Sequence, residues 1–179
     1  KFKARLVIKG FSQREDIDYS QTFSPVAKSA TIRSIIALAA SEKMSLMQFD
    51  VSTAFLYGEL EEDIYMVQPE GYADDSGRVC KLKKSLYGLK QASRCWNNRF
   101  GSFLISLGFK RSEADPCLFI RVKDERKLLV ALYVDDGIVA GTTRDDAIEF
   151  LKEVEREFKI TSSMASYFLG IEIDQRQDG

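Results

Sequence analysis

Asp135 and Asp136 sit side by side between two apolar runs, Leu128 to Val134 and Ile138 to Ala140, and no other stretch of the 179 residues is as informative. The run LLVALYV, broken by Asp-Asp-Gly and resumed as IVAG, is a β-hairpin pattern with its turn chemistry supplied by Asp and Gly. By itself such a tetrapeptide is a turn and nothing more. Its flanks are apolar on both faces, however, so the hairpin is expected to be largely buried. Two neighbouring carboxylates near a core repel each other and resist desolvation unless a cation compensates them. The nearest basic residues, Lys127 and Arg144, lie well outside the tip, which makes a divalent metal the candidate. A third acid has a similar setting. Asp50 follows Leu46, Met47 and Phe49 and precedes Val51, and by itself it reads as a strand-end acid. One aspartate closing a strand, with two more at a hairpin tip, meets the needs of two-metal phosphoryl transfer. There two Mg²⁺ ions roughly 4 Å apart clamp the attacking and leaving oxygens.

The elements that must position these acids follow from periodicity and capping signals. Lys3 to Ile8 alternates enough for a short strand, and the polar stretch Ser12 to Pro25 reads as loop. Thr31 is placed to cap a helix over Ile32 to Lys43, and Leu46 to Val51 is a strand ending beside Asp50. Ile64 to Val67 and Val79 to Leu82 are short strands around a turn-rich segment. Gln91 to Leu107 places Cys95, Trp96, Phe100, Phe103 and Leu104 at helical spacing, which is core packing, with Gly108 as the stop. Cys117 to Val122 and Leu128 to Val134 read as strands, and Thr143 caps a helix over Asp145 to Phe158. Tyr167 to Ile173 is a last strand. Helices interleaved with antiparallel strands make the fold class α+β. The regular βαβ alternation and Gly-rich phosphate loop of nucleotide-binding Rossmann and P-loop folds are absent.

Composition narrows the chemistry. With 45% apolar residues the chain can bury a real core and reads as one or two domains. It has no histidine, and its three cysteines, Cys80, Cys95 and Cys117, show no CxxC spacing. Disulfide frameworks, Cys/His zinc sites and histidine-based nucleophilic catalysis are thereby disfavoured, and the expected setting is reducing and intracellular. No apolar run approaches the roughly 20 residues of a membrane span. The net charge of −1 hides a segregated pattern. Residues 1–14 carry Lys1, Lys3, Arg5, Lys9 and Arg14 with no acid, and residues 76–112 are basic and also free of acid. Residues 51–77 hold seven acids and no base. Either these are ordinary solvated faces, or one surface is suited to phosphate and another is acidic.

At this point the chain resembles a known family. Tyr133-Val134-Asp135-Asp136 is similar to the signature of reverse transcriptases, and Phe49 to Leu56 (FDVSTAFL) to their first catalytic motif. KARLVIKGF from Lys3, FSPV from Phe23, GEL from Gly58, IYM from Ile64, LYGLKQA from Leu86 and YFLGIEI from Tyr167 narrow the resemblance to the copia-type LTR-retrotransposon branch. It covers essentially the whole chain, with its motifs in order. The resemblance implies a fingers–palm fold, an antiparallel palm sheet with packed helices. Residues 1–45 and 60–95 would be fingers; residues 46–59 and 96–179 would run from palm to primer grip. Thumb and ribonuclease H regions are not among these motifs, so the chain reads as a piece of a longer Pol polyprotein. The implied activity is RNA-directed DNA synthesis with two Mg²⁺ ions, Mn²⁺ being an alternative, on an RNA or DNA template-primer with deoxynucleoside triphosphates. The remainder of the polyprotein is the implied partner, with no membrane, and the implied location is cytoplasmic, within a retrotransposon particle.

Residue by residue, the resemblance gives Asp50 and Asp135 both metals, Asp136 a place beside the primer 3′ end as a weaker ligand, and Val51 a carbonyl ligand. Phe55, with Ala54 before it, matches the position whose bulk excludes a ribose 2′-hydroxyl. One or two of Lys3, Arg5 and Lys9 would grip the triphosphate. Tyr87, Gly88, Lys90 and Gln91 would lie beneath the template and incoming base, and Lys90 would contact phosphate. Tyr133 would stand near the primer, and Phe168, Leu169 and Gly170 would form the primer grip. Ser93 stands where copia-type chains usually carry proline, which is expected to loosen the turn into the helix, and Ile160 to Ser166 is irregular. Two other readings share some of these features. One is a catalytically silent or co-opted nucleic-acid-binding remnant, and the other is a palm-like nucleotidyl cyclase or different polymerase.

Overall fold

The structure, a computed structural model, describes residue 2 and residues 4–74 and 76–176. The chain forms two compact units, Lys1–Ser24 with Ala54–Arg99, and Pro25–Thr53 with Phe100–Gly179.

The larger unit is built on six antiparallel strands. They are β1 (Ser45–Val51), β4 (Lys110–Arg111), β5 (Leu118–Lys123), β6 (Arg126–Tyr133), β7 (Asp136–Gly141) and β8 (Ile160–Met164), in the order β4-β5-β6-β7-β1-β8. The remaining pairs are β2 (Tyr65–Met66) with β3 (Cys80–Lys81) in the smaller unit, and β9 (Tyr167–Phe168) with β10 (Ile171–Glu172) in the larger. Side chains alternate across a strand, so β1 presents Leu46, Gln48 and Asp50 to one face and Met47, Phe49 and Val51 to the other. Helix α1 (Ser29–Ser41) buries Ile32, Ile35 and Ala39 against Leu46, Leu129, Ala131, Ile138 and Ala140 on the first face. Helix α3 (Arg144–Glu157) covers the second. It is started by a capping box in which Thr143 and Asp146 each accept from the other's backbone N–H. On that second face Phe49 stacks near Phe100, at 6.0 Å between ring centres, and Phe100 near Phe158 at 5.6 Å.

Several sequence expectations are corrected. Helix α1 starts at Ser29, not after a Thr31 cap. The buried Asp115 does the capping from a distance, accepting from the Lys28 N–H at 2.9 Å, the Thr31 hydroxyl and the Cys117 N–H. Burial would raise its pKa, but the Thr31 hydroxyl and the two N–H donors outweigh burial and hold it below the ordinary aspartate value. Among the described residues, the stretch expected as a strand before Ile8 has only a single parallel bridge, Val7 to Tyr87. Residues 160–164, read as irregular, are the edge strand β8, whose hydroxyl side chains hide it from an apolar periodicity. Tyr167 to Ile173 is not one strand but a hairpin. Leu169 and Gly170 form its two-residue turn, both at positive φ (47° and 83°), as a type I′ turn requires.

The division into units also differs from the expected one. Residues 25–45 join the larger unit because the apolar face of α1 is buried on the sheet. Residues 54–59 join the smaller unit. There the Ser85 hydroxyl donates to the Phe55 carbonyl, and the Ser85 N–H to the Gly58 carbonyl at 2.8 Å. The acidic and basic blocks do not stay apart either. The β2–β3 pairing brings them together, so that Lys81 pairs with Asp63 at 2.6 Å and Arg94 with Glu62 at 3.0 Å. The side chains of Lys9, Arg14, Lys83 and Lys84 form no ion pair with a carboxylate among the described residues.

Candidate active site

Strand register sets the acids in one row. Asp50 lies opposite Asp136 in the β1–β7 ladder, Asp136 opposite Tyr133 in β6–β7, and Asp50 opposite Thr161 in β1–β8. Directly opposed residues have Cβ atoms about 5 Å apart on the same face. The row is thus Tyr133, Asp136, Asp50, Thr161, running across four strands at the end of the face whose deeper rows α1 covers. A cavity of about 450 Å³ opens over it, lined by Asp50, Asp136, Gln48, Thr161 to Ser163 and the β9–β10 hairpin from Tyr167 to Gly170.

The hairpin turn lies one residue earlier than Asp-Asp-Gly suggests. β6 ends at Tyr133 and β7 starts at Asp136, so the two loop residues are Val134 and Asp135. Val134 has φ +57°, at the first loop position, which a type II′ turn reserves for glycine. A β-branched residue in that region costs on the order of 1–3 kcal/mol and persists only where its surroundings over-determine it. Gly137 belongs to the strand, not the turn. It faces Phe49 across the ladder, and an added Cβ would overlap the Phe49 ring.

Electrostatically the three acids share one environment. Burial first, then the charges of Asp135 and Asp50, raise the Asp136 pKa above the ordinary aspartate value. Asp135 is exposed at the tip, and its carbonyl accepts from the buried Val51 N–H at 2.8 Å, tying the hairpin to the end of β1. Among the described residues no three acidic or cysteine side chains converge into a closed metal cage. Mg²⁺ does not ask for one. It keeps several waters and is held through one or two carboxylates plus substrate phosphates. A pair of hard oxygen donors facing a cavity, in a chain without histidine, fits such an ion.

The other candidate residues divide between the units. Tyr133 and the turn residues Leu169 and Gly170 are exposed, whereas Phe168 is buried in the core. In the smaller unit Ala54 is buried in a 3₁₀ turn, Ala54–Tyr57, and Phe55 is half-buried beside Tyr87. Arg5 and Lys9 are exposed, while Lys3 lies outside the described residues. Gly88 takes φ +93° with its Cα against the Ile8 carbonyl, where a Cβ has no room. The Lys90 ammonium is engaged with the Tyr19 hydroxyl at 3.0 Å and the Gln13 carbonyl at 3.3 Å. Gln91, expected under the template, is fully buried. Its amide donates to the Asp18 carbonyl and accepts from Gln13, so its side chain organises the loop below. Sequence reading missed Gln48, Thr161 and Ser163 in the cavity wall, and only the pairing of β8 with β1 could have revealed them.

A sequence model described as reverse transcriptase (RNA-dependent DNA polymerase) matches residues 1–179. The chain is 43% identical over 177 residues to the retrovirus-related Pol polyprotein from transposon TNT 1-94 of Nicotiana tabacum, covering 97% of this chain and 13% of that protein. It is 40% identical over 175 residues to the corresponding polyprotein from transposon RE1 of Arabidopsis thaliana, covering 96% and 12%. The transposon Ty1-H Gag-Pol polyprotein of Saccharomyces cerevisiae shares 31% over 143 residues, which is 76% of this chain and 7% of that one. No solved structure matches significantly. The chain therefore spans only about an eighth of the plant polyproteins, and along its whole length it belongs to the reverse transcriptase (RNA-dependent DNA polymerase) family, in the copia-type transposon branch.

Proposed function

We propose that this chain is the fingers–palm part of an RNA-directed DNA polymerase that adds deoxynucleotides to a primer 3′ end by two-metal nucleotidyl transfer. The larger unit would be palm and the smaller fingers. The observation that carries the reading is the gathering of three acids at one end of the sheet, Asp50 opposite Asp136 at a cavity lined also by the hairpin of the proposed primer grip, and Asp135 at the adjoining tip, its carbonyl tied to the Val51 N–H. Asp50 and Asp135 would hold two Mg²⁺ ions, with the Val51 carbonyl on one and Asp136 beside the primer end. When bound, Mg²⁺ (or Mn²⁺) neutralises charge on the attacking and leaving oxygens.

The chain's own residues do the rest. The proposed primer grip and Tyr133 hold the primer end over the carboxylate row. Buried Val51 and the Val134–Asp135 turn fix the two strand ends that carry the acids. Phosphoryl transfer asks for positioning and charge neutralisation, which explains how the site works without histidine. Phe55 would exclude ribonucleotides. The unpaired Lys9, Lys83 and Lys84 suit the phosphate backbone of a template-primer, whose binding would weaken with salt. The other domains of a Pol polyprotein would be its partners, inside the cell. Nothing in the site favours a silent remnant, since all three acids are in place.

Single-nucleotide extension of a labelled primer on an RNA template tests this reading. Extension should require Mg²⁺, and Asp135→Asn should reduce it by roughly 100-fold or more while leaving the melting temperature nearly unchanged. Extension that survives Asp135→Asn would overturn the metal assignment.

A further inference from the structure

The smaller unit stacks three side chains that the family resemblance assigns to separate tasks. The rings of Phe55 and Tyr87 meet edge to face, with centres 5.3 Å apart and planes at 66°. On Tyr87 also lies Arg5, whose guanidinium carbon is 5.5 Å from the ring centre. Both contacts are of the energetically favoured kind, an edge-to-face aromatic pair and a cation over a π face. The backbone around Tyr87 is anchored toward both partners. Its carbonyl accepts from the Ile8 N–H at 2.8 Å, which ties it to the segment carrying Arg5. Two residues before it, the Ser85 hydroxyl donates to the Phe55 carbonyl. Gly88, at positive φ, allows the close approach to the Ile8 carbonyl that keeps this register.

We propose that Tyr87 is a positioning residue for nucleotide selection: one ring holds Phe55 in the orientation that rejects a 2′-hydroxyl and Arg5 in the orientation that receives the triphosphate. The proposal rests on the reading that the chain takes deoxynucleoside triphosphates. It also separates the basic candidates, since Arg5 is held by the stack and the exposed Lys9 is not. A guanidinium lying over a ring keeps its N–H edges free for bidentate contact with phosphate oxygens, which an ammonium cannot match. The tyrosine contributes its ring, and its hydroxyl takes no part in either contact. That distinguishes this role from a template contact made through the hydroxyl.

The test compares wild type with Tyr87→Phe, Tyr87→Leu and Arg5→Gln. It uses equilibrium titration of dGTP and GTP, and single-nucleotide extension with each. Removing the ring should lower the preference for dGTP over GTP about five- to tenfold and weaken dGTP binding by a similar factor, with kcat for dGTP within about twofold. Tyr87→Phe should stay within about twofold of wild type on every measure. Arg5→Gln should weaken both nucleotides alike and leave the preference unchanged. A Tyr87→Leu protein that keeps its preference overturns the proposal, as does a Tyr87→Phe protein as impaired as Tyr87→Leu. Wild type that neither binds dGTP nor extends the primer removes the polymerase reading itself, a different result from wild type that works and a Tyr87→Leu variant that works equally well.

Discussion

At the scale of single residues, the carboxylate row costs the metal-free fold stability. Asp136 sits opposite Asp50 and next to Asp135, half-buried, and its pKa is raised by burial and by those two charges. A group whose pKa is higher in the folded state stabilises the fold fully below the ordinary aspartate value. That contribution is lost as pH rises through the raised value. Above the raised value the ionised Asp136 is therefore a net burden on the metal-free fold. Asp136→Asn should melt at a higher temperature than wild type at pH 7 in chelator, with the difference shrinking as pH falls through the raised value and gone below the ordinary aspartate value. Added Mg²⁺ should raise the wild-type melting temperature more than that of the variant. A variant that melts lower than wild type at pH 7 would show that the charge is compensated by something else. Val134 at φ +57° is a second local cost in the same hairpin, and it too lies at the site.

At the scale of elements, the sheet sets the row through one size-matched pair. Phe49 and Gly137 are cross-strand neighbours, one position from Asp50 and Asp136, and the phenyl ring occupies the space a Cβ at 137 would need. Gly137→Ala should cost about 1–3 kcal/mol in denaturant unfolding and lower extension by shifting β7 against β1. Adding Phe49→Leu, which vacates the space, should recover part of both. No recovery would mean that Gly137 serves the turn instead. This pair was beyond sequence reading, because Asp-Asp-Gly looks like a turn whichever residues form it. Legible in the sequence were the elements with clean apolar periods, β1, β6, β7, α2 (Ala92–Ser106) and α3, the last announced by Thr143. Hidden were the hydroxyl-rich β8 and the start of α1, each decided by a partner far away in the chain, and the hairpin at Leu169–Gly170, a local turn whose flanks read as one apolar run.

At the scale of the whole molecule, charge is organised by pairing across elements. The near-zero net charge and the alternating acidic and basic blocks suggested two opposed faces, but β2–β3 places Asp63 against Lys81, and Arg94 reaches Glu62. Among the described residues, the side chains of Lys9, Arg14, Lys83 and Lys84 form no ion pair, and neither do those of the acids Glu59 and Glu70. The three acids were legible because aspartates ending apolar runs are costly and few. Their partition was not, since only the β1–β7 register shows that Asp136, not Asp135, faces Asp50. No helix among the described residues is long and apolar enough to cross a membrane. On the proposed reading, the row at the end of the sheet performs the chemistry. The most direct test is the rate of Mg²⁺-dependent single-nucleotide addition by Asp50→Asn, measured beside wild type and beside Glu113→Gln, an exposed acid outside the cavity. Asp50→Asn should lose roughly 100-fold or more and Glu113→Gln nothing. Equal rates for Asp50→Asn and wild type would contradict that reading.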